Sequence, residues 1–426
     1  MSNTSASSYY LATANGLKQR PSLKGDADAD ACIIGAGYTG LSCALHLAQA
    51  GLKVVVLEAE HAGFGASGRN GGQVIPGQRV DQVELERRYG KAHAQKLASL
   101  ALEAQSLVRS LISAHKIDCG VKSGHLTAAI RDSHARELQY YVEHLEQHYN
   151  YKSARYVPAG EMPAFVNTPI YRGGLFDSDG MHLHPLNYAS GIAMAAEAAG
   201  ATIFHGSRVL KVEDGPTRRV RTADGTITTK FVVYACNAYL EGLNRKLEAT
   251  ILPISNYVAA TECLSADAAK ALIPSDAAIA DTKFVLDYYR LSRDNRLVFG
   301  GGETYGATDA GDAAHFVRPC IERVFPQLKG IRIDYAWGGR LAITMPRLPH
   351  VGRLSPDTYF AQGYSGQGIA IATLCGKLIA EAICSQAERF DVMANLRIPR
   401  LPGGTLLRKP LLQLALTWYA LRDRLG

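Results

Sequence analysis

Residues 30–40 read DACIIGAGYTG: a short apolar run, then glycines at Gly35, Gly37 and Gly40. The spacing is G-x-G-x-x-G. It follows a strand-like segment and opens a helical one, LSCALHLAQAG, which Gly51 stops. The next run, KVVVLEA, is continuously apolar, as in a parallel strand covered on both faces, and Glu58 stands near its end. This context predicts a βαβ unit that binds a dinucleotide. Gly35 permits the tight turn, Gly37 lets a pyrophosphate approach bare backbone, and Gly40 lets helix and strand pack closely. The helix N-terminus supplies N–H groups to phosphate, while Glu58 accepts from a ribose diol and disfavours a 2′-phosphate.

A second glycine-rich stretch, FGASGRNGG at 64–72, interrupts the pattern. A nicotinamide dehydrogenase usually continues its βα repeats here. A flavin is retained through many turnovers, and its ring calls for close backbone contact along one edge. This loop offers such backbone, with Arg69 and Asn70 as donors.

The remaining composition narrows the class. With 426 residues, two domains are the default. The net charge of +7 is mild and dispersed, which argues against nucleic acid. Eight cysteines, none in C-x-x-C, several within apolar runs, suit free thiols in a reducing cytoplasm better than disulfides or zinc. No run of about 18 apolar residues predicts a membrane span. Residues 1–28 read as an arm. Segments 29–85, 180–245 and 340–395 read as a discontinuous α/β domain. Segments 86–179 and 246–339 read as a second, mostly antiparallel sheet domain, and 396–426 as a helical tail with Leu411, Leu414, Trp418, Leu421 and Leu425 on one face. A homo-oligomer is compatible with that tail.

Taken together, IGAGYTGLSCALHLAQAGLKVVVLEA, GFGASGRNGGQ, HLHPLN, NAYL, LDYYRLSRDNRL, IDYAWGG and GYSGQGIA resemble the D-amino-acid-oxidase-like FAD oxidoreductases over nearly the whole chain. The resemblance implies a glutathione-reductase-like Rossmann FAD domain. It places Gly35, Ala36, Gly37, Gly40 and Glu58 on the ADP half of FAD. Ser67, Arg69, Asn70, Gly71, Gly72 and Gln73 fall along pyrophosphate and ring. Val209 falls beside adenine, and Gly366, Gln367 and Gly368 over the flavin. The more specific stretches, LDYYRLS and HLHPLN, imply a subgroup that oxidises the terminal amine of γ-glutamyl-amines such as gamma-glutamylputrescine, with O2 as acceptor. The subgroup often has histidine where this chain has Gln367, which donates but carries no charge. WGGRLAITMPRLPHVG lacks the cysteine that tethers FAD in sarcosine oxidases of the superfamily, so FAD is expected to be non-covalent. RLVFGGG lacks their oxygen-activating lysine.

An amine donor needs orientation over the flavin and a lowered amine pKa. Tyr288, Tyr289 and Trp337 are the aromatic candidates, and Arg290 the candidate for a substrate carboxylate. Tyr288 and Arg290 share a face if LDYYRLS is a strand. Packing of a sheet is an equal reading of these aromatics. His182 and His184 read as loop or pocket polar residues rather than metal ligands, and Cys236 as a buried thiol. A dehydrogenase passing electrons to a carrier and a non-catalytic flavin protein remain open alternatives.

Overall fold

In the computed structural model, which describes residues 8–304 and 313–402, the chain forms two sheets joined along one seam. The first has strand Ala27–Ile34 at its centre, parallel to Val54–Leu57 on one side and Thr226–Tyr234 on the other. Thr202–Phe204 and Thr358–Gln362 extend it in parallel, and His350–Ser355 closes one edge antiparallel. The register brings Ile34 level with both Leu57 and Tyr234, and Tyr234 level with Phe360. The strands therefore end together, and the residues just beyond them meet at one edge.

The central strands are apolar on both faces because both are covered: one by a layer of helices, the other by Leu23 of the arm, Val220 and the segment from Ala238 to Ile251. Helix Tyr38–Gln49 packs on helix Ile369–Ile383 so closely that a Cβ on Gly376 would lie 2.7 Å from the Cys43 nitrogen. Helix Pro185–Ala198 lies against the same layer. The sequence reading placed 86–114 with the second domain. Instead, helix Lys91–Ala114 buries Leu97, Ala101, Ala104 and Val108 in the first domain's core. Its amphipathic period was legible, but not the layer its apolar stripe would meet.

The second sheet runs from Ile333–Ile343 through Leu252–Thr261, Leu297–Thr304, Tyr288–Leu291, Ala278–Asp281, Lys122–Ala128 and Gly173–His182 to the two-residue strand Gln73–Val74. Its pairings are antiparallel except Ala278–Asp281 with Lys122–Ala128. Tyr289 and Phe299 stack in its core at 5.1 Å, with helix Ala313–Val324 on that side. The arm is docked rather than loose: helix Tyr9–Ala12 buries Tyr9 and Tyr10. Residues 411–425 of the tail lie outside the described residues. Among the described residues no helix is long and apolar enough to cross a membrane, and no cluster of potential metal ligands occurs.

The histidines near the seam serve structure. His184 caps helix Pro185–Ala198, its Nδ1 accepting from the Asn187 N–H at 3.1 Å, while Nε2 lies 3.1 Å from Thr13 Oγ1. His182 Nε2 bonds the Asp276 carbonyl at 2.8 Å, and buried His125 meets Gln73 Oε1 at 3.3 Å. Burial lowers His182 to about 3, and His125 and His184 to about 4. Unfolded, each titrates near 6.5, so the unfolded state takes up protons first. Stability is complete above that value and falls as pH drops from about 6.5 toward 4, by on the order of 2 kcal/mol per histidine at pH 5. Thermal melts at pH 7.5 and pH 5 should differ strongly in wild type and less in His182→Asn. Equal pH slopes in both proteins would exclude His182 as a contributor.

Candidate cofactor and substrate site

The edge where the strands end opens into a cavity of ≈ 660 Å³ that reaches across the seam to the second sheet. The ends of Ala27–Ile34 and Val54–Leu57 contribute Gly35, Gly37 and Glu58. Gly35 adopts φ +104°, and a Cβ on Gly37 would lie 2.9 Å from Ser67 Oγ. Glu58 is half-buried beneath the turn: one carboxylate oxygen accepts from the Ala36 N–H at 2.7 Å and the other from the Glu60 N–H at 3.0 Å. Burial pushes its pKa up, opposed by those two donors. Ala36 and Gly40 act from behind the wall, Ala36 by orienting Glu58 and Gly40 by allowing the helix onto the turn.

The 64–72 loop forms the next wall and is held by its own side chains. Asn70 Nδ2 donates to the carbonyls of Ala66 and Ser67 at 2.9 and 3.1 Å, and Asn70 Oδ1 accepts from the Gly72 N–H at 2.8 Å. Arg69 donates to the carbonyls of Phe64 and Gly338 at 2.8 and 3.1 Å. The sequence reading took Arg69 and Asn70 as donors to a ligand; here those groups build the loop. Gln73 is similar. Its amide donates to the carbonyls of Ile279 and Tyr289 at 3.0 and 3.2 Å, tying the loop to the second sheet. Gly72, at φ +75°, lies outside the lining, and its carbonyl accepts from the Leu183 N–H.

Opposite, the turn Gly366–Gly368 leads into helix Ile369–Ile383, whose N-terminus joins that of Tyr38–Gln49 at the cavity. Such helix ends leave N–H groups and a positive dipole end for an anion. Asn237, at φ +48°, accepts from the Gly363 N–H at 2.9 Å and fixes this turn. Gln367 lines the cavity, and its Oε1 is buried with no hydrogen-bond partner, the kind of group that a ligand's donor would satisfy. Val209, Tyr239 and Arg340 line the side near Glu58. A carboxylate at the strand end, two helix N-termini, a narrow glycine wall and a buried unpartnered acceptor fit FAD. Cys236 is the one cysteine among the described lining residues. Its thiol donates to the Ile34 carbonyl, and burial pushes it up to about 12.

The model of the FAD dependent oxidoreductase family matches residues 30–382. The chain belongs to that family. This FAD-dependent oxidoreductase is 42% identical over 421 residues to the gamma-glutamylputrescine oxidoreductase of Escherichia coli K12, covering 99% of both chains. It is 37% identical to a probable oxidoreductase, OrdL, of Haemophilus influenzae, covering 98% and 97%. Its fold is similar to glycine oxidase from Geobacillus kaustophilus at a TM-score of 0.70 and 20% identity, covering 84% of this chain and 95% of that one.

The substrate-side assignments divide. In this oxidoreductase Tyr288 lines the cavity, its hydroxyl donating to Asn256 Oδ1 and its ring lying against Gly71 and Gly300. Tyr289 points the other way, into the second core. Trp337 is buried behind the loop, its Nε1 donating to the Arg69 carbonyl at 2.9 Å. Arg290 does share the Tyr288 face, but the loop covers it. Its guanidinium donates to the carbonyls of Gly71, Leu291 and Leu183 at 2.8, 3.2 and 3.0 Å and to the Tyr10 hydroxyl at 3.2 Å. It does not line the cavity and has no edge turned to a ligand. The reading missed the residues that do line the far end: Ile75, Arg79, Asn256, Phe284, Leu286, Ile343 and Arg347. They come from four separated segments of loop and strand, and no local pattern marks them.

Proposed function

We propose that this chain oxidises the terminal primary amine of gamma-glutamylputrescine or a close γ-glutamyl-amine. With water and O2 the products are the aldehyde, ammonia and hydrogen peroxide. The observation that carries this reading is the full-length similarity, at 42% identity, to the gamma-glutamylputrescine oxidoreductase.

The cavity's far end has the chemistry this substrate requires. Bound FAD supplies the two-electron oxidation of the carbon–nitrogen bond. Phe284, Leu286, Ile75 and Ile343 wall that end with apolar surface. A desolvating wall disfavours an ammonium and lowers the pKa of the amine, leaving the nitrogen lone pair free. Tyr288, anchored by Asn256, supplies an aromatic edge beside Gly71 to orient the reacting carbon. Arg79 and Arg347 are the cationic side chains at this end, Arg347 stacked over the Phe284 ring at 4.3 Å. They suit the α-carboxylate of the γ-glutamyl group, the role the sequence had assigned to Arg290.

An amine panel tests the reading. Gamma-glutamylputrescine should bleach the flavin under nitrogen and yield peroxide in air. Arg347→Met should lower kcat/KM for it about ten- to hundredfold and leave an uncharged N-acylputrescine nearly unchanged. Bleaching without peroxide would make the chain a dehydrogenase with another acceptor. No bleaching by any amine, with FAD still bound, would remove the proposal.

A further inference from the structure

The glycine loop is backed by three side chains that belong to none of its own elements. Leu186 lies beneath it: a Cβ on either Gly63 or Gly68 would come within 2.9 Å of Leu186 Cδ1. Trp337 holds the carbonyl of Arg69, and Arg290 holds that of Gly71. One residue of the N-terminal arm stands behind all three. Tyr10, fully buried, shares a single apolar cluster with Leu186 and Trp337. Its ring meets Trp337 edge-on at 5.1 Å, and its hydroxyl accepts from Arg290 at 3.2 Å. The arm is fastened on both sides of the seam. Tyr9 donates to Asp294 at 2.5 Å, the Asn15 N–H donates to Asn187 Oδ1 at 2.8 Å, and Arg20 pairs with Glu197 at 2.8 Å.

We propose that the arm is a clamp on the cofactor loop, with Tyr10 as its positioning residue. Asn70 and Arg69 brace loop 63–72 from within, and two of its carbonyls, those of Arg69 and Gly71, are held from outside by Trp337 and Arg290. Tyr10 locks the rotamers of the side chains that hold two of its carbonyls, and packs with the leucine under its glycines. A loop held in one shape is prepared for FAD, and FAD held against the loop favours the docked arm. Such coupling is reciprocal: whatever the docked arm contributes to FAD affinity, FAD returns to arm docking. The inference concerns the cofactor loop and holds whichever amine is the substrate.

Limited trypsin digestion of wild-type holoenzyme and FAD-stripped enzyme reads one direction. Lys18, exposed on the arm, is the reporter site, with cleavage elsewhere in the chain as the reference. FAD should slow cleavage at Lys18 about tenfold more than cleavage at the reference sites. FAD titration by fluorescence quenching reads the other direction. Tyr10→Ala should raise the Kd for FAD about tenfold, alter the flavin's visible band shape and abolish the protection of Lys18, while Tyr10→Phe keeps the packing and should recover most of it. Tyr171→Phe, which breaks the buried hydroxyl pair with Tyr289 in the second core, controls for general destabilisation and should leave Kd unchanged. Equal protection of Lys18 with and without FAD overturns the clamp. So does an unchanged Kd in Tyr10→Ala. If Tyr10→Ala does not fold, the wild-type digestion and Tyr10→Phe decide.

Discussion

Arg290→Met is expected to lower the melting temperature, weaken FAD retention and reduce turnover of charged and uncharged amines alike. The guanidinium is a buried hub with four hydrogen bonds to Gly71, Leu183, Leu291 and Tyr10. Methionine fills part of the volume but leaves the buried carbonyls of Leu183 and Leu291, the half-buried carbonyl of Gly71 and the Tyr10 hydroxyl short of a donor. Each stranded acceptor costs about 1–3 kcal/mol, and partial relaxation leaves a net loss of about 3–5 kcal/mol. The Gly71 carbonyl is one of them, so the damage reaches the cofactor wall. Calorimetry and flavin content after gel filtration check this. A loss confined to carboxylate-bearing substrates, at unchanged melting temperature, would return Arg290 to the substrate pocket and overturn its assignment as a strut.

Gly40→Ala should give protein that purifies colourless or fails to fold. A Cβ there would lie well inside the carbonyl oxygen of Gly35 and 3.2 Å from Ile33 Cγ2. The obstacle is backbone, so no side-chain rotation relieves it. Either the helix must lift from the strand or the turn must open, and both displace the N–H groups that face the cavity. Overpacking of this kind costs about 1–3 kcal/mol or more, and FAD occupancy should fall below roughly a tenth. Gly160→Ala is the matched control: a Cβ there meets nothing within 4 Å. The ratio of flavin to protein absorbance after purification reads both. Full occupancy in Gly40→Ala would show that the helix can shift without cost to the site.

The sequence by itself determined the parts of this protein whose physics is local. A glycine turn between an apolar strand and a helix is one contiguous segment, and so is the acid that ends the next strand. The turn that brings Gly35, Gly37 and Glu58 to the cavity was therefore legible in the sequence. Strand alternation put Tyr288 and Arg290 on one face, and the structure turns Tyr289, also a candidate for the ring side, into the second core. Only the tertiary structure decided what that face would meet. Three of the four partners of Arg290 are 219, 107 and 280 residues away in the chain, at Gly71, Leu183 and Tyr10, and they turn a plausible ligand arginine into a strut. Arg69 and Gln73 likewise donate to distant carbonyls, at Gly338, Ile279 and Tyr289, while Asn70 donates to the loop's own Ala66 and Ser67. Arg347 and Phe284, too, became cavity wall only when two distant loops closed on each other. Composition and period report which groups a segment carries and which way they point. Whether a buried donor is free for a ligand depends on every acceptor the fold places beside it, because a polar group taken out of water bonds to the nearest partner available.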